Sequence, residues 1–415
     1  MKDILKRASI FVLMLGLFYV SSFMNPVLAQ TPQSLYDRAW KLVNAKFVDQ
    51  TNNEQDWSRW RHRYDSVIKD DEDAYVAIES MVSSLNDVYT KFLNPKDFKE
   101  ENESIQGSLQ GIGVQIGVRD GKLLVIAPIE DTPGERAGLK AEDEILEING
   151  KSTKGITVDA AAEQIRGPEG TQVTLLVKRG KEPAKTYTIT REKIEIKSVS
   201  TKAPEFVKIP DNLGYIRLSS FISRNATSEF EQALVENFDK DGLIIDLRSN
   251  PGGLLTNAIY IADMLLDSKV IVSTVDREGY KDTTRANQRT LTNQPIVVII
   301  NGGSASASEI LSGALKDNKR AIIVGKKSFG KGLVQEINRL PGGSAMHITI
   351  QKYLTPNGTD INKKGIKPDY EVDLTEEDVK KERDPQLAKA IELLNGQAVA
   401  KKENIKKDDI KVIVK

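Results

Sequence analysis

The residues best suited to chemistry are a group of serines and one lysine. In NGGSASASEILSGALKD, Asn301 to Asp317, three serines alternate with alanine after a Gly-Gly pair. An apolar run, Ile296–Ile300, leads in, and Ile310, Leu311 and Leu315 follow at helical spacing. The pattern predicts strand, tight turn and helix. It delivers a serine to a helix N-terminus, where unpaired N–H groups and the dipole favour a developing oxyanion. Ser306 is the candidate nucleophile, with Ser304 and Ser308 next in line. A serine hydroxyl attacks poorly until a base takes its proton. His62 lies in a charged helical stretch and His347 alternates with apolar residues in a strand, so neither has the setting of a base. Lys331, between Gly330 and Gly332 in KKSFGKGLVQ, can serve where burial keeps it neutral. Its glycines, with Ala305 and Ala307, permit close approach of the chains. Gln335 follows at the opening of a strand-like run; positions i and i+4 of a strand share a face, so its amide could orient the amine without adding charge. Plainer readings stand beside these: Ser306-x-x-Glu309 is a capping box, and a lysine between glycines is usually a solvated loop residue.

Composition limits the alternatives. The 415 residues suggest two or three domains, and 59 Lys+Arg against 59 Asp+Glu leave no charge excess for a polyanion, so nucleic acid is not an expected partner. The absence of cysteine excludes disulfides, thiolate metal sites and a cysteine nucleophile. Two histidines without metal-binding spacing argue against zinc, and no metal or organic cofactor is expected.

The elements that must position these residues follow in order. Residues 1–29 read as an export signal: Lys2, Lys6 and Arg7, then IFVLMLGLFYV, then a small-residue cleavage site at Ala29. The apolar core is shorter than the ~20 residues of a spanning helix, and the light interruption of residues 8–29 leaves an uncleaved anchor, and hence membrane proximity, open. Residues 31–104 read as helical, with Leu35, Ala39, Leu42 and Val43 on one face and Tyr75, Ile78, Met81, Val82 and Leu85 on another. Strands and helices alternate over residues 193–375, which predicts a layered α/β core. Within it, DGLIIDLRSNPGGLL is a buried strand entering a Pro-Gly-Gly turn whose glycines allow close backbone approach to a substrate; the plain alternative is a tight strand-to-helix turn. Asp246 and Arg248 are read as a structural ion pair. Residues 376–415 read as a charged, solvated helix and a lysine-rich tail.

From about Ser34 to Asp369 the chain resembles the carboxyl-terminal processing peptidases, serine peptidases with a Ser-Lys pair and an inserted PDZ domain. The resemblance covers several motifs in order: NDVYTKFLNPKDF, GIGVQIG, PGERAGLKAEDEILEINGKS, the Asn250-Pro251-Gly252-Gly253 turn, SASASE and SFGKG. It implies a multidomain α/β protein: an N-terminal helical region, a β-rich PDZ domain at 105–192 and a layered catalytic core. It implies that Ser306 attacks, that Lys331 serves as base and then acid, and that Gln335 positions the lysine. The oxyanion donors would be the Ala307 N–H and one from Gly252 or Gly253. Gly111, Ile112, Gly113 and Val114 would form the loop that takes a peptide's terminal carboxylate, the adjoining strand edge would accept the peptide as an added strand, and Ala160, Ala161, Ile165 and Arg166 would belong to the helix walling the groove. In some family members the position of Arg166 couples peptide binding to activation; a plain surface arginine is the alternative. The expected partners are proteins with exposed C-terminal tails, and a second copy of the chain, since family members often dimerise through the N-terminal helices. The expected location is exported, periplasm or thylakoid lumen; in phototrophs, relatives process a photosystem II reaction-centre precursor. Three alternatives remain open at this stage: an exported PDZ scaffold without activity, a latent protease needing a partner, and an oxyanion-stabilising acyl-CoA-type enzyme, against which the signal and the PDZ domain count.

Overall fold

The computed structural model describes residues 31–119, 121–129, 132–195, 197–287 and 290–396. The export signal and the lysine-rich end of the tail lie outside these residues. Among the described residues no helix is long and apolar enough to cross a membrane. The described residues form two compact units, one made of those up to Phe98 with Gln335–Thr349, the other of those in Lys99–Val334 with those from Ile350 onward.

In the first unit, the helix Pro32–Lys46 starts where Thr31 accepts the Ser34 N–H and proline takes the first turn. The helix Asp71–Ser83 is capped by Asp70 and carries Asp71, Glu72 and Asp73 at its positive end. Leu35, Ala39 and Val43 of the first helix and Ile78, Met81 and Val82 of the second are buried, so the expected stripes form the core; Leu42 and Tyr75 are only half-buried. Trp57 and Trp60 are buried beside them, whereas His62 is exposed and bonds Asp65 at 3.0 Å. The region is not wholly helical: Lys91–Leu93 is a strand, antiparallel to Ala345–His347, which makes His347 a ladder residue.

Early in the second unit lies a six-stranded antiparallel sheet with five strands in the order Val114–Arg119, Lys122–Pro128, Glu144–Ile148, Gln172–Lys178, Lys185–Thr190, and the short strand Lys151–Ser152 paired with Glu144–Ile148. The helix Val158–Ile165 covers it, and Ile112, Leu123, Val125, Ile145, Ala161 and Val173 fill the space between. Asn149 and Gly150, both at positive φ, make the two-residue hairpin expected of Asn-Gly. Arg166 does not belong to the groove helix; it follows Ile165 with extended backbone (φ −64°, ψ 165°).

The unit also holds a six-stranded sheet in the order Val199–Ser200, Leu213–Leu218, Gly242–Asp246, Ile296–Ile300, Ala321–Gly325, Tyr370–Glu371. All pairings after the first are parallel. The central strands are buried on both faces, which is why LIID and IVVII read as unbroken apolar runs. Leu243, Ile245, Val298 and Ile300 face the helices Ala226–Glu236, Leu255–Leu265 and Ala307–Asp317. Their alternates Ile244, Val297 and Ile299 face Leu387, Ala390 and Leu394 of the helix at 385–396. The predicted charged tail helix is therefore an integral layer of the core.

Candidate active site

Three adjacent parallel strands, Gly242–Asp246, Ile296–Ile300 and Ala321–Gly325, end at the same edge of the sheet. The loops leaving their carboxyl ends carry Gly252 and Gly253, then Ser306, then Lys331. Open parallel sheets bind ligands at this edge.

Two of the three candidate serines are buried and bonded to loop backbone. Ser304 is fully buried; its Oγ donates to the Leu247 carbonyl at 2.8 Å and accepts the Asn301 N–H at 2.9 Å. Ser308 is likewise buried and donates to the Asn250 carbonyl at 2.9 Å. Both hydroxyls hold the strand-end loops together. Ser306 is half-buried, and its backbone is held at φ 53°, ψ −112°, a conformation L-residues rarely adopt. At the helix that starts at Ala307, the Glu309 N–H goes to the Ser306 carbonyl at 2.8 Å. The capping-box reading of Ser306-x-x-Glu309 is met, with the Ser306 N–H donating to the Glu309 carboxylate at 2.9 Å.

That carboxylate does more than cap. Glu309 is fully buried. Its Oε2 accepts the N–H of both Ser306 and Lys331 (2.9 and 2.8 Å). Its Oε1 accepts the Ser328 hydroxyl at 2.6 Å and the Gly330 N–H at 2.7 Å. One side chain therefore fixes the loop of the lysine to the turn of the serine. The sequence signal for it was available: an acid at the first turn of a helix otherwise built of small and apolar residues.

The Gly252 turn lies against Ser306. A Cβ on Gly252 would sit 2.8 Å from Ser306 Cβ and 2.9 Å from the Ala307 nitrogen, at a φ of +98°. Glycine thus keeps open the space beside Ser306. The Gly252 N–H itself donates to Asn250 Oδ1 at 2.9 Å. Gly253 answers to a different neighbour: its Cβ would strike Phe221 C and Ile222 N, both at 2.3 Å.

Behind this turn, Asp246 and Arg248 form the buried ion pair expected of them, with Nη2 and Oδ2 2.6 Å apart. Arg248 also reaches Asp384 at 2.7 Å and Gln386 at 3.2 Å, and the Tyr215 hydroxyl donates to Asp246 at 2.9 Å. Burial alone would raise the Asp246 pKa, but the hydrogen bonds and charge of Arg248 hold it below the ordinary carboxylate value.

Gln335 is not linked to Lys331 by strand geometry. The strand begins at Leu333, so the shared-face argument does not reach back to Lys331. The Gln335 amide donates to Thr349 Oγ1 at 3.3 Å.

In the antiparallel domain, Ile112 is buried and its carbonyl accepts the Gly134 N–H at 2.6 Å. Gly113 is at φ 69°, and its carbonyl accepts the Ile129 N–H at 2.8 Å. Val114 then opens the terminal strand of the sheet, which leaves an edge for a further strand. Arg166 lies beside Gly111, whose Cβ would be 3.9 Å from Arg166 Cα, and its guanidinium is 3.1 Å from Glu100. Among the described residues no cluster of three His, Cys, Asp or Glu stands close enough to hold a metal ion.

Residues 212–372 match the model of peptidase family S41, and residues 124–179 match that of the PDZ domain. The fold and these matches define a serine-type peptidase carrying a PDZ domain. A carboxyl-terminal-processing protease of Synechocystis sp. is 38% identical over 394 residues, covering 93% of this chain and 92% of the relative. One of Picosynechococcus sp. is 41% identical over 370 residues, covering 88% and 89%. A solved photosystem II D1 C-terminal processing protease aligns with a TM-score of 0.55 at 32% identity, covering 83% of this chain and 94% of that one. The chain belongs to the carboxyl-terminal-processing proteases of family S41.

Proposed function

We propose that this protein is an exported endopeptidase that captures substrate C-terminal tails on its PDZ domain and cleaves through a Ser-Lys acyl-enzyme mechanism. Ser306 attacks the scissile carbonyl, Lys331 takes its proton and passes it to the leaving amine, and water clears the acyl group. The Ala307 N–H and one from the Gly252–Gly253 turn receive the oxyanion; proximity to Ser306 favours Gly252. The observation that carries this reading is the shared Glu309 oxygen, which binds the backbones of Ser306 and Lys331 at once. The tail's terminal carboxylate meets the Gly111–Val114 loop and Arg166, and its backbone extends the open edge. Relatives from Arabidopsis thaliana are named chloroplastic, and the basic and apolar N-terminus supports export.

The test is cleavage of an unfolded protein ending in an apolar tail, compared among wild type, Ser306→Ala, Lys331→Ala and a substrate without the tail. Cleavage is expected only by wild type on the tailed substrate. Survival in Ser306→Ala would refute the nucleophile. The role of Gln335 as the orienting partner of the amine is tested alongside by Gln335→Ala; turnover at the wild-type rate removes it from the mechanism. The bond between the Gly252 N–H and Asn250 Oδ1 favours a second reading, a resting enzyme that must release this donor on activation. In that case wild type binds the tail but cleaves only when a partner is supplied.

A further inference from the structure

The Glu309 carboxylate gathers the two N–H groups of the proposed dyad; their two carbonyls are gathered as well. The Tyr353 hydroxyl lies at hydrogen-bond distance from the Ser306 carbonyl, at 3.2 Å, and bonds the Lys331 carbonyl more closely. No motif in the sequence singles out Tyr353. It sits near the end of the strand Ala345–Leu354, where it pairs with Thr274, and its N–H donates to the Gly332 carbonyl at 3.1 Å. Its ring is buried in the same core as Ala307, Ile310 and Leu311. The ring is therefore fixed, and the hydroxyl it presents is fixed with it.

A phenol has one proton to give. The Ser306 carbonyl already accepts the N–H groups of Glu309 and Ile310, at 2.8 and 2.9 Å. The closer Lys331 carbonyl takes the main bond, and the Ser306 carbonyl takes the secondary share. We infer that Tyr353 is a positioning residue for the proposed Ser-Lys reaction: its hydroxyl ties the Lys331 peptide to the Ser306 turn and so sets the distance between amine and nucleophile. The inference rests on the Ser-Lys reading above. It assigns Tyr353 no contact with substrate. Its consequence is geometric, since a displacement of about 1 Å between reacting groups costs about a hundredfold in rate.

The experiment measures kcat and KM of Tyr353→Phe on a disordered, fluorogenic polypeptide with an apolar C-terminus, below the melting midpoint and normalised to folded protein. The expected result is a fall in kcat of about 10- to 100-fold with KM unchanged. Ile261→Val, a conservative change in the same core, is expected to lower the melting midpoint yet keep the wild-type kcat, which separates positioning from bulk stability. Placing p-aminophenylalanine at position 353, which restores a donor on the same ring, is expected to recover most of kcat. Should Tyr353→Phe fail to fold, that variant decides: turnover near wild type supports the inference, and lost turnover in a folded protein overturns it. Wild-type kcat in folded Tyr353→Phe also overturns it, with Ser306→Ala and Lys331→Ala both inactive. If Ser306→Ala still cleaves, the Ser-Lys reading itself has failed instead.

Discussion

Replacing Glu309 with glutamine tests the site at its most connected atom pair. The carboxylate accepts four hydrogen bonds, two on each oxygen, and is fully buried. An amide offers one acceptor oxygen. If that oxygen keeps the Ser306 and Lys331 N–H groups, the NH2 faces Ser328 and Gly330. The Ser328 hydroxyl can turn and accept, but the Gly330 N–H then points at another donor. One orphaned buried donor costs about 1–3 kcal/mol, and loss of charge assistance in the remaining bonds adds about 1 kcal/mol or more. The total, about 2–4 kcal/mol, is a large share of a typical stability of about 5–15 kcal/mol. By the same count Glu309→Ala orphans four donors and is not expected to fold. Glu309→Gln is expected to fold with a melting midpoint lowered by about 4–16 °C. Its kcat should fall about a hundredfold, because the lysine loop is no longer registered on the serine turn. Thermal melting followed by circular dichroism and turnover of a fluorogenic peptide read the two effects. A midpoint within about 2 °C and a kcat within about threefold of wild type, the scatter expected of changes that touch nothing, would refute the clamp.

Three further outcomes follow from the geometry. Gly252→Ala places a methyl beside Ser306 and the Ala307 nitrogen and is expected to lower kcat by about 10²- to 10³-fold, while tail-peptide affinity, measured by fluorescence anisotropy, stays unchanged. Glu100→Gln frees Arg166 from an exposed ion pair and is expected to tighten tail binding by about two- to fivefold, with Arg166→Ala weakening it by at least as much; equal affinities in all three proteins would remove Arg166 from the peptide site. The folded-state pKa of Asp246 lies below its ordinary value of 3.8. Its charged form is therefore favoured by folding, and this contribution is present above pH 3.8 and lost as pH falls through the lower folded value. Asp246→Asn should lack that component, so its melting midpoint should fall less steeply than that of wild type in the acid range.

Much of the catalytic layer was legible because parallel strands buried on both faces must read as apolar runs, and the turns at their ends must carry glycine and serine. Ile296–Ile300 leading into Ser306 is such a case. What the sequence concealed was the support. Glu309 looks like a cap because its spacing to Ser306 satisfies one; that its second oxygen reaches residues 328 and 330 depends on tertiary folding. Tyr353 sits in a strand whose pattern only asks for an aromatic or β-branched residue there. The spacing argument for Gln335 does not reach Lys331 for a local reason: two-residue periodicity holds only within a strand, and Lys331 precedes it. Arg166 was assigned one residue too far into its helix, within the usual uncertainty of helix ends. The tail helix was misjudged as solvated because its charges dominate the composition, although Leu387, Ala390 and Leu394 recur at the spacing of one buried face.

That tail helix bears on the order in which the enzyme becomes competent. Arg248, behind the Gly252 turn, takes two of its partners from Asp384 and Gln386, 136 and 138 residues further along the chain. A polypeptide emerging from its N-terminus makes the serine, the lysine and the glycine turn well before it makes these partners. Until they arrive, a guanidinium that must be buried has only Asp246 to neutralise it and nothing to shield it from water. A chain ending at Arg383 should therefore cleave poorly despite possessing every residue assigned to the chemistry. If that holds, proteolytic power arrives only once synthesis has passed Gln386, and an unfinished copy would be kept from acting on its neighbours.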